Sequence, residues 1–147
     1  MTKLASLFIP DDICRAMVDH CVRESPLECC GVLGGNGRIV DSFYPFRNQL
    51  ASETRYEADP KDVIQVVREL RARSAEFVAL YHSHPRWPAI PSKTDLERNH
   101  YGDLPRIIVS LQAESPVTRA WCFATESYEE IPIERVTDTV ESSGVTG

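Results

Sequence analysis

Residues 76–95 read EFVALYHSHPRWPAIPSKTD, and they predict a buried strand, a rigid loop and a helix start in succession. Residues 76–81 form a mostly apolar run, which is typical of a strand buried on both faces. His82 and His84 follow at the end of this run. Because strand side chains alternate between two faces, residues two positions apart point the same way. Both imidazoles are therefore expected to converge on one ion.

The segment after the histidines carries the third candidate ligand. Three prolines within residues 85–91 fix the backbone and exclude a helix there. Ser92 and Asp95 then match a helix N-terminus, with a hydroxyl cap and an acidic side chain in the first turn. Two imidazoles and one carboxylate form a common catalytic zinc set, because three protein ligands leave a tetrahedral position for water. The stretch thus predicts one Zn²⁺ with a catalytic water, held by His82, His84 and Asp95.

The motif His82-x-His84-Pro, followed after six residues by Ser92-x-x-Asp95, resembles the signature of the JAMM (MPN+) zinc metallopeptidases. That family also carries an upstream glutamate, which Glu28 and the following Cys-Cys-Gly-Val-Leu match. Each part alone is a weak signal: Ser-x-x-Asp is usually a capping box, and a lone glutamate at a strand edge is usually solvated. Their conjunction carries the resemblance, which extends from about residue 5 to about residue 134.

The resemblance implies a fold and a mechanism. The fold is a single-domain α/β (α+β) arrangement, a curved mixed β-sheet flanked by helices and similar to the cytidine deaminases. The reaction is hydrolysis of a peptide or isopeptide bond, with Glu28 as general base and Ser92 donating a hydrogen bond to the oxyanion. Deamination itself is disfavoured, because the chain lacks the His-x-Glu and Pro-Cys-x-x-Cys signature. The domain is expected to span residues 1–134, followed by a flexible tail at residues 135–147.

The substrate prediction rests on the length of one connection. About ten residues separate Asp95 from the next predicted strand, whereas family members that cut ubiquitin chains carry insertions near the active site. The chain therefore resembles prokaryotic members that act on the C-terminal tail of ubiquitin-like or sulfur-carrier proteins. An extended tail suits addition to a sheet edge. Two alternatives stay open: a metal-free MPN scaffold module and a hydrolase of small amides without a protein substrate.

Composition restricts the partners and the compartment. The 147 residues are 42% apolar and 26% charged, as expected for one soluble globular domain. The net charge of −6 argues against nucleic acid or an anionic membrane as the main partner, since both require a concentrated basic surface. Five cysteines without a Cys-x-x-Cys pair favour a reducing compartment, so a cytoplasmic location is expected. The oligomeric state stays open.

Apolar periodicity and turn signals predict the remaining elements. Two helices are expected, one opened by Pro10 and ending near residue 25, the other capped by Asp59 and ending near residue 73. A hairpin is expected to turn within residues 34–37, because Asn-Gly tolerates positive φ. The predicted strands cover residues 4–9, 29–33, 38–46, 106–111, 117–124 and 128–133.

The roles of several other polar and aromatic residues are predicted less specifically. His20 is interpreted as a packing histidine and His100 as a loop histidine. Trp87 and Ile90 are expected either to line the cleft or to pack the loop. The second helix carries arginines that form its solvated face or a docking patch, namely Arg68, Arg71 and Arg73.

Overall fold

An eight-stranded mixed sheet organises the computed structural model, which describes residues 5–98, 102–124 and 126–137. The elements are, in chain order, β1 (Leu7–Pro10), α1 (Asp11–Glu24), β2 (Cys30–Asn36), β3 (Ile39–Phe46), α2 (Pro60–Ala72), β4 (Glu76–His84), α3 (Lys93–Glu97), β5 (Arg106–Ser110), β6 (Val117–Phe123), β7 (Tyr128–Ile131) and β8 (Ile133–Val136). The strands lie in the order β7-β6-β5-β4-β2-β3-β1-β8. β4 pairs antiparallel with β2 and parallel with β5, so the predicted mixed sheet is confirmed and the metal-site strand is central.

The sheet separates two apolar cores. Leu33 of β2 belongs to the core that includes Met17 of α1, whereas its neighbour Val32 belongs to the core that includes Leu70 of α2. Adjacent strand residues point to opposite faces, so α1 and α2 lie on opposite sides of the sheet. The prediction of helices flanking the sheet is confirmed. No helix in the described part of the chain is long and apolar enough to cross a membrane.

The β2–β3 hairpin turns later than predicted. β2 continues to Asn36, which pairs with Ile39, so the turn itself is residues 37–38. The register shifts between Gly34 and Gly35, which marks a β-bulge. A Cβ on Gly35, whose φ is 156°, would lie 2.1 Å from the carbonyl oxygen of Ile39. Because glycine has no Cβ, Gly35 can approach the Ile39 carbonyl this closely, and the strand can form the bulge.

The C-terminal strand prediction, residues 128–133, is wrong in one respect, because two strands occupy this region. β7 ends at Ile131, and Pro132 separates it from β8, which pairs with β1 at the opposite edge of the sheet. In a flat sheet, seven strand spacings of about 4.8 Å would keep those edges about 34 Å apart. One residue spans at most about 3.6 Å. The sheet must therefore curve until its edges approach each other.

The expected boundary between domain and tail, after residue 134, falls within β8. Arg135 and Val136 complete β8, and the Arg135 guanidinium donates to the Asp11 carboxylate at 2.7 Å. Arg135 and Val136 belong to the strand because β8 pairs with β1. This pairing satisfies main-chain N–H and C=O groups that a tail would leave to water. Residues 138–147 and His100 lie outside the described residues.

Candidate active site

The last residues of β4 bring two imidazoles together. Nε2 of His82 and Nε2 of His84 are 3.1 Å apart, and both side chains are almost fully buried. The Asp95 carboxylate reaches both rings, with one oxygen 3.1 Å from His82 Nε2 and the other 3.1 Å from His84 Nε2. The structure thus brings together the three ligands predicted from the sequence.

The geometry of these three side chains fits a tetrahedral metal ion. Tetrahedral zinc with bonds of about 2.0–2.1 Å separates its ligand atoms by about 3.3 Å. The two Nε2 atoms are 3.1 Å apart, which is close to that value, and each Asp95 oxygen lies 3.1 Å from one of them. His84 Nδ1 lies 2.8 Å from the Pro88 carbonyl oxygen. Donation from Nδ1 to this carbonyl selects the tautomer whose Nε2 lone pair faces His82 and Asp95, which is the usual support for a metal-bound histidine.

The loop at residues 85–91 is anchored to the sheet as well as stiffened by prolines. Trp121 Nε1 of β6 donates to the Ala89 carbonyl at 3.0 Å, and the Ser110 hydroxyl of β5 donates to the Trp87 carbonyl. The Trp87 side chain is 59% exposed and Ile90 is also exposed. The loop is therefore held by its backbone carbonyls and by the buried Ala89 side chain, which packs with Trp121, and this fixes the acceptor that orients His84.

Ser92 and Asp95 form a capping box at the start of α3. The Asp95 N–H donates to Ser92 Oγ at 3.1 Å, and the Ser92 N–H donates to the Asp95 carboxylate at 2.8 Å. A hydroxyl that accepts in this way still has its own O–H to donate. Without a metal ion, burial raises the pKa of Asp95, but protonated His82 and His84 and the Ser92 N–H outweigh it through the charge of His82 and their hydrogen bonds, so the net pKa is well below its ordinary value. Capping and ligand orientation are therefore performed by the same pair.

Glu28 lies beside the histidines because of the strand register. Cys30 pairs with His82, and the Ser83 N–H donates to the Cys29 carbonyl, so Glu28 lies at the level of His84. Its side chain is only 5% exposed. Burial raises the pKa of Glu28 to about 7, although the charges of His82 and His84 act in the opposite direction. A carboxyl that titrates near neutrality suits a general base.

Two further residues beside the site, Asn48 and Tyr56, come from the connection between β3 and α2, where the sequence predicts no helix or strand. The Tyr56 ring stacks on His82, with ring centroids 4.6 Å apart and planes inclined by 22°. The Asn48 side chain donates to the Glu28 carbonyl at 2.9 Å. The only sequence hint was an aromatic residue isolated in a polar stretch, and such a residue does not specify its tertiary contact.

A cavity of about 370 Å³ adjoins the site between α2, α3 and the sheet. Glu28 and Asp95 line it together with apolar side chains such as Phe46 and Leu80. The expected addition of a tail to a sheet edge does not apply at His82, because β4 pairs there with β2 on one side and β5 on the other. A chain entering the site must therefore be bound by side chains and loops.

His20 lies away from the candidate metal site. It belongs to α1, it is 7% exposed, and its Nδ1 is 2.7 Å from the Tyr81 hydroxyl. Tyr81 belongs to the core on the α1 face of the sheet, opposite to the face of His82. The interpretation of His20 as a packing histidine agrees with this position.

The arginines of the second helix do not form one face. Arg68 and Arg71 are exposed on α2, whereas Arg73 follows the helix and donates to β3. Its guanidinium is 3.3 Å from the Asp41 carboxylate and 2.9 Å from the Ser42 hydroxyl. Arg73 therefore connects the end of α2 to the sheet.

The five cysteines are free thiols. Cys21 of α1 and Cys29, which precedes β2, approach to 3.3 Å between their sulfur atoms. The hydrogen bond with Cys29 and burial raise the pKa of Cys21, so this thiol stays protonated. The pair lies in the core on the α1 face.

Sequence and structure comparisons place these observations in a family. Residues 10–123 match the profile of the prokaryotic homologs of the JAB domain. A desampylase of Pyrococcus furiosus is 35% identical over 95 residues, which cover 65% of this chain and 67% of that protein. A CysO-cysteine peptidase of Mycobacterium tuberculosis is 34% identical over 106 residues, or 71% of this chain and 73% of the relative. The solution structure of protein DSY2949 from Desulfitobacterium hafniense has a TM-score of 0.83 at 26% identity, covering 89% of this chain and 93% of that one.

The matches to the curated relatives are partial in length. Among the matched desampylases and conjugate-cleaving or CysO-cysteine peptidases, the aligned share of the relative's own length runs from 56% to 73%. The family match is broader, since residues 10–123 make up most of the 147 residues and include Glu28, His82, His84, Ser92 and Asp95. The chain belongs to the family of prokaryotic homologs of the JAB domain.

Proposed function

We propose that the chain is a zinc-dependent peptidase or isopeptidase of the JAMM type. The convergence of His82, His84 and Asp95 is the observation that carries this proposal: the two Nε2 atoms are 3.1 Å apart, and each lies 3.1 Å from one oxygen of the Asp95 carboxylate. A bound Zn²⁺ would lower the pKa of a coordinated water toward neutrality and polarise the scissile carbonyl. The fit of the donor set to tetrahedral zinc supports the choice of metal.

The chain's own residues divide the remaining chemistry. Glu28 accepts a proton from the attacking water and transfers it to the leaving amine. A pKa raised toward 7 allows the Glu28 carboxylate to accept the proton from water and then to release it to the amine. Ser92 donates its O–H to the oxyanion, which develops charge only in the transition state. Asp95 stays ionised and holds its position through the capping box.

The proposed substrate is the C-terminal tail of a ubiquitin-like or sulfur-carrier protein, cleaved in the cytoplasm. The names of the related desampylase and CysO-cysteine peptidase support this substrate class. The cavity beside Glu28 has apolar walls and a few charged side chains, among them Arg55 and an Arg98 that pairs with Glu57, which suits an extended peptide. The connection from α3 to β5 comprises only residues 98–105, so the chain carries no long insertion at this point. Five free thiols agree with a reducing compartment.

Replacement of Glu28 by glutamine tests the proposal. The Glu28→Gln variant should keep its zinc and its melting temperature, but single-turnover cleavage should slow by about 10²-fold to 10⁴-fold, the usual contribution of a general base. The substrate is a ubiquitin-like protein with one extra amino acid at its C-terminus, and a free aminoacyl amide is assayed beside it. Glu24→Gln, an exposed glutamate at the end of α1, serves as the matched control.

Each part of the proposal has its own contradicting result. Wild-type protein purified without zinc, and inactive after zinc is added, would favour the scaffold module. Loss of zinc from Glu28→Gln would make Glu28 a ligand. Equal turnover of the free amide and the tail substrate would contradict a protein substrate.

A further inference from the structure

Residues 47–59, which connect β3 to α2, contact both the glutamate and a histidine of the site. The Glu28 N–H donates to the Ser52 carbonyl at 2.7 Å, and the Glu28 carbonyl accepts from Asn48 Nδ2 at 2.9 Å. In the same segment, Tyr56 stacks on His82. Both main-chain polar groups of Glu28 are therefore bonded to the 47–59 segment.

The Asn48 side chain is the centre of this contact. Besides Glu28, its Nδ2 donates to the Arg55 carbonyl at 3.0 Å. Its Oδ1 accepts from the Leu50 N–H at 3.1 Å and from the Glu57 N–H at 3.0 Å. A carboxamide has two N–H donors and one oxygen with two lone pairs, so these four bonds use every position. A fully satisfied network of this kind specifies one geometry.

The segment is itself fixed to the rest of the fold. The Arg47 N–H donates to the Asp62 carboxylate of α2 at 2.7 Å, and the Asp59 N–H donates to the Arg47 carbonyl at 2.9 Å. Asn48 also forms a main-chain β-bridge with Ala58. Asn48 thus belongs to a segment that is itself fixed to α2. From this segment its side-chain Nδ2 donates to the Glu28 carbonyl.

Glu28 needs such support because it lies outside regular structure. α1 ends at Glu24 and β2 begins at Cys30, and the bonds to β4 begin only at Cys29, whose N–H donates to the Ser83 hydroxyl and whose carbonyl accepts from the Ser83 N–H. Misplacement of a reacting group by about 1 Å can cost about 10²-fold in rate. The N–H and the carbonyl of Glu28 itself bond to the 47–59 segment, so the position of the carboxylate depends on that segment as well as on the Cys29–Ser83 bonds.

We propose that Asn48 is a positioning residue for Glu28, acting through its hydrogen bond to the Glu28 carbonyl. The inference rests on the proposed function, in which Glu28 is the general base. Asn48 itself touches neither substrate nor metal. Its removal should leave metal binding in place and lower the rate of the step in which Glu28 moves a proton.

Two substitutions remove different parts of this network. Asn48→Asp is nearly isosteric and keeps an oxygen for the Leu50 and Glu57 N–H groups, but it has no N–H to donate to the carbonyls of Glu28 and Arg55. Asn48→Ala removes all four bonds. The control is Gln49→Ala, a neighbouring carboxamide whose described bond goes to the exposed Glu57 carboxylate.

The decisive measurement is a double-mutant cycle with Glu28→Gln, assayed by steady-state and single-turnover kinetics on the same tail substrate. In the wild-type background, Asn48→Asp should lower kcat by about 10- to 100-fold with KM within about twofold, at unchanged zinc content. In the Glu28→Gln background it should change kcat by less than about twofold, because the group it positions is already inactive. Gln49→Ala should behave as wild type in both backgrounds.

Other outcomes overturn the inference. Equal losses in both backgrounds would mean that Asn48 acts independently of Glu28, and loss of zinc would mean that it acts through the metal ligands. Wild-type kcat in Asn48→Asp would show that the bond is dispensable. Should Asn48→Ala fail to fold, Asn48→Asp carries the cycle alone. Failure of the proposed function appears separately, as wild-type kcat in the Glu28→Gln single variant.

Discussion

At the scale of single residues, Glu28 and Asp95 are buried carboxyl groups whose pKa values move in opposite directions. Two histidines and the Ser92 N–H stabilise the Asp95 anion, which keeps its pKa low. Glu28 experiences mainly burial, which disfavours the anion and raises its pKa to about 7. Carboxyl groups with separated pKa values take separate roles. Asp95 is suited to hold a cation, and Glu28 is suited to exchange a proton.

The raised pKa of Glu28 predicts a pH-dependent stability difference in metal-free protein. Because the folded state holds this proton more tightly than the unfolded state, the contribution of Glu28 to stability falls as pH rises from about 4.5 to about 7. Glutamine does not titrate, so the Glu28→Gln variant does not lose stability in this way as pH rises. Urea unfolding should show that the variant's stability relative to wild type is greater at pH 8 than at pH 5, by about 1–3 kcal/mol. A pH-independent difference would contradict the raised pKa.

The metal ligands predict a joint loss of zinc and activity. His84→Ala and Asp95→Asn each weaken a set of three protein ligands, so both should bind little zinc in elemental analysis and should not cleave the tail substrate. Asp95→Asn keeps an oxygen that can accept from Ser92, so its helix cap should persist. Glu97→Gln, an exposed carboxylate on the same helix that pairs with Lys93, is the control. Full zinc occupancy in either ligand variant would exclude that residue from the metal set.

At the scale of elements, local signals account for much of the site. The apolar run before His82, the prolines after His84 and the Ser92 cap each act within a few residues of chain, so β4, the loop and α3 could be predicted from sequence. The roles of Asn48 and Tyr56 could not, because both depend on where the 47–59 segment meets Glu28 and His82. The division of the C-terminal strand at Pro132 likewise depends on the closure of a curved sheet, which is a tertiary property.

The bulge in β2 predicts different costs for alanine at two nearby glycines. At Gly37, φ is 61° and an added Cβ would meet no atom within 4 Å, so Gly37→Ala should cost only the left-handed penalty of about 1 kcal/mol. At Gly35 the added Cβ would overlap the Ile39 carbonyl, so the backbone must shift. Gly35→Ala should lower the free energy of unfolding by about 3 kcal/mol or more. Urea denaturation of both variants decides this, and equal losses would mean that the bulge relaxes easily.

At the scale of the whole molecule, the fold and the candidate metal site are separable. Apolar clusters on the two faces of the sheet join it to α1 and to α2. Those contacts need no metal, and a chain of 147 residues is long enough for its core to fold without one. The site instead stands at the end of β4 and is completed by α3, a helix of five residues. Metal binding should therefore add stability to a chain that is already folded.

Chelation tests this separation. Protein treated with EDTA should keep its far-UV circular dichroism, yet it should melt at a lower temperature, because zinc binds the folded site and not the unfolded chain. Zinc present at 100 times its Kd would stabilise the fold by about 2.7 kcal/mol, which corresponds to roughly 5–10 °C in Tm for a domain of this size. Added Zn²⁺ should restore the melting temperature, whereas the His84→Ala variant should melt at the same temperature with or without Zn²⁺. Loss of the circular dichroism signal on chelation would instead mean that the metal holds β4 and α3 in the fold, and an unchanged Tm in the wild type would mean that His82, His84 and Asp95 bind no zinc.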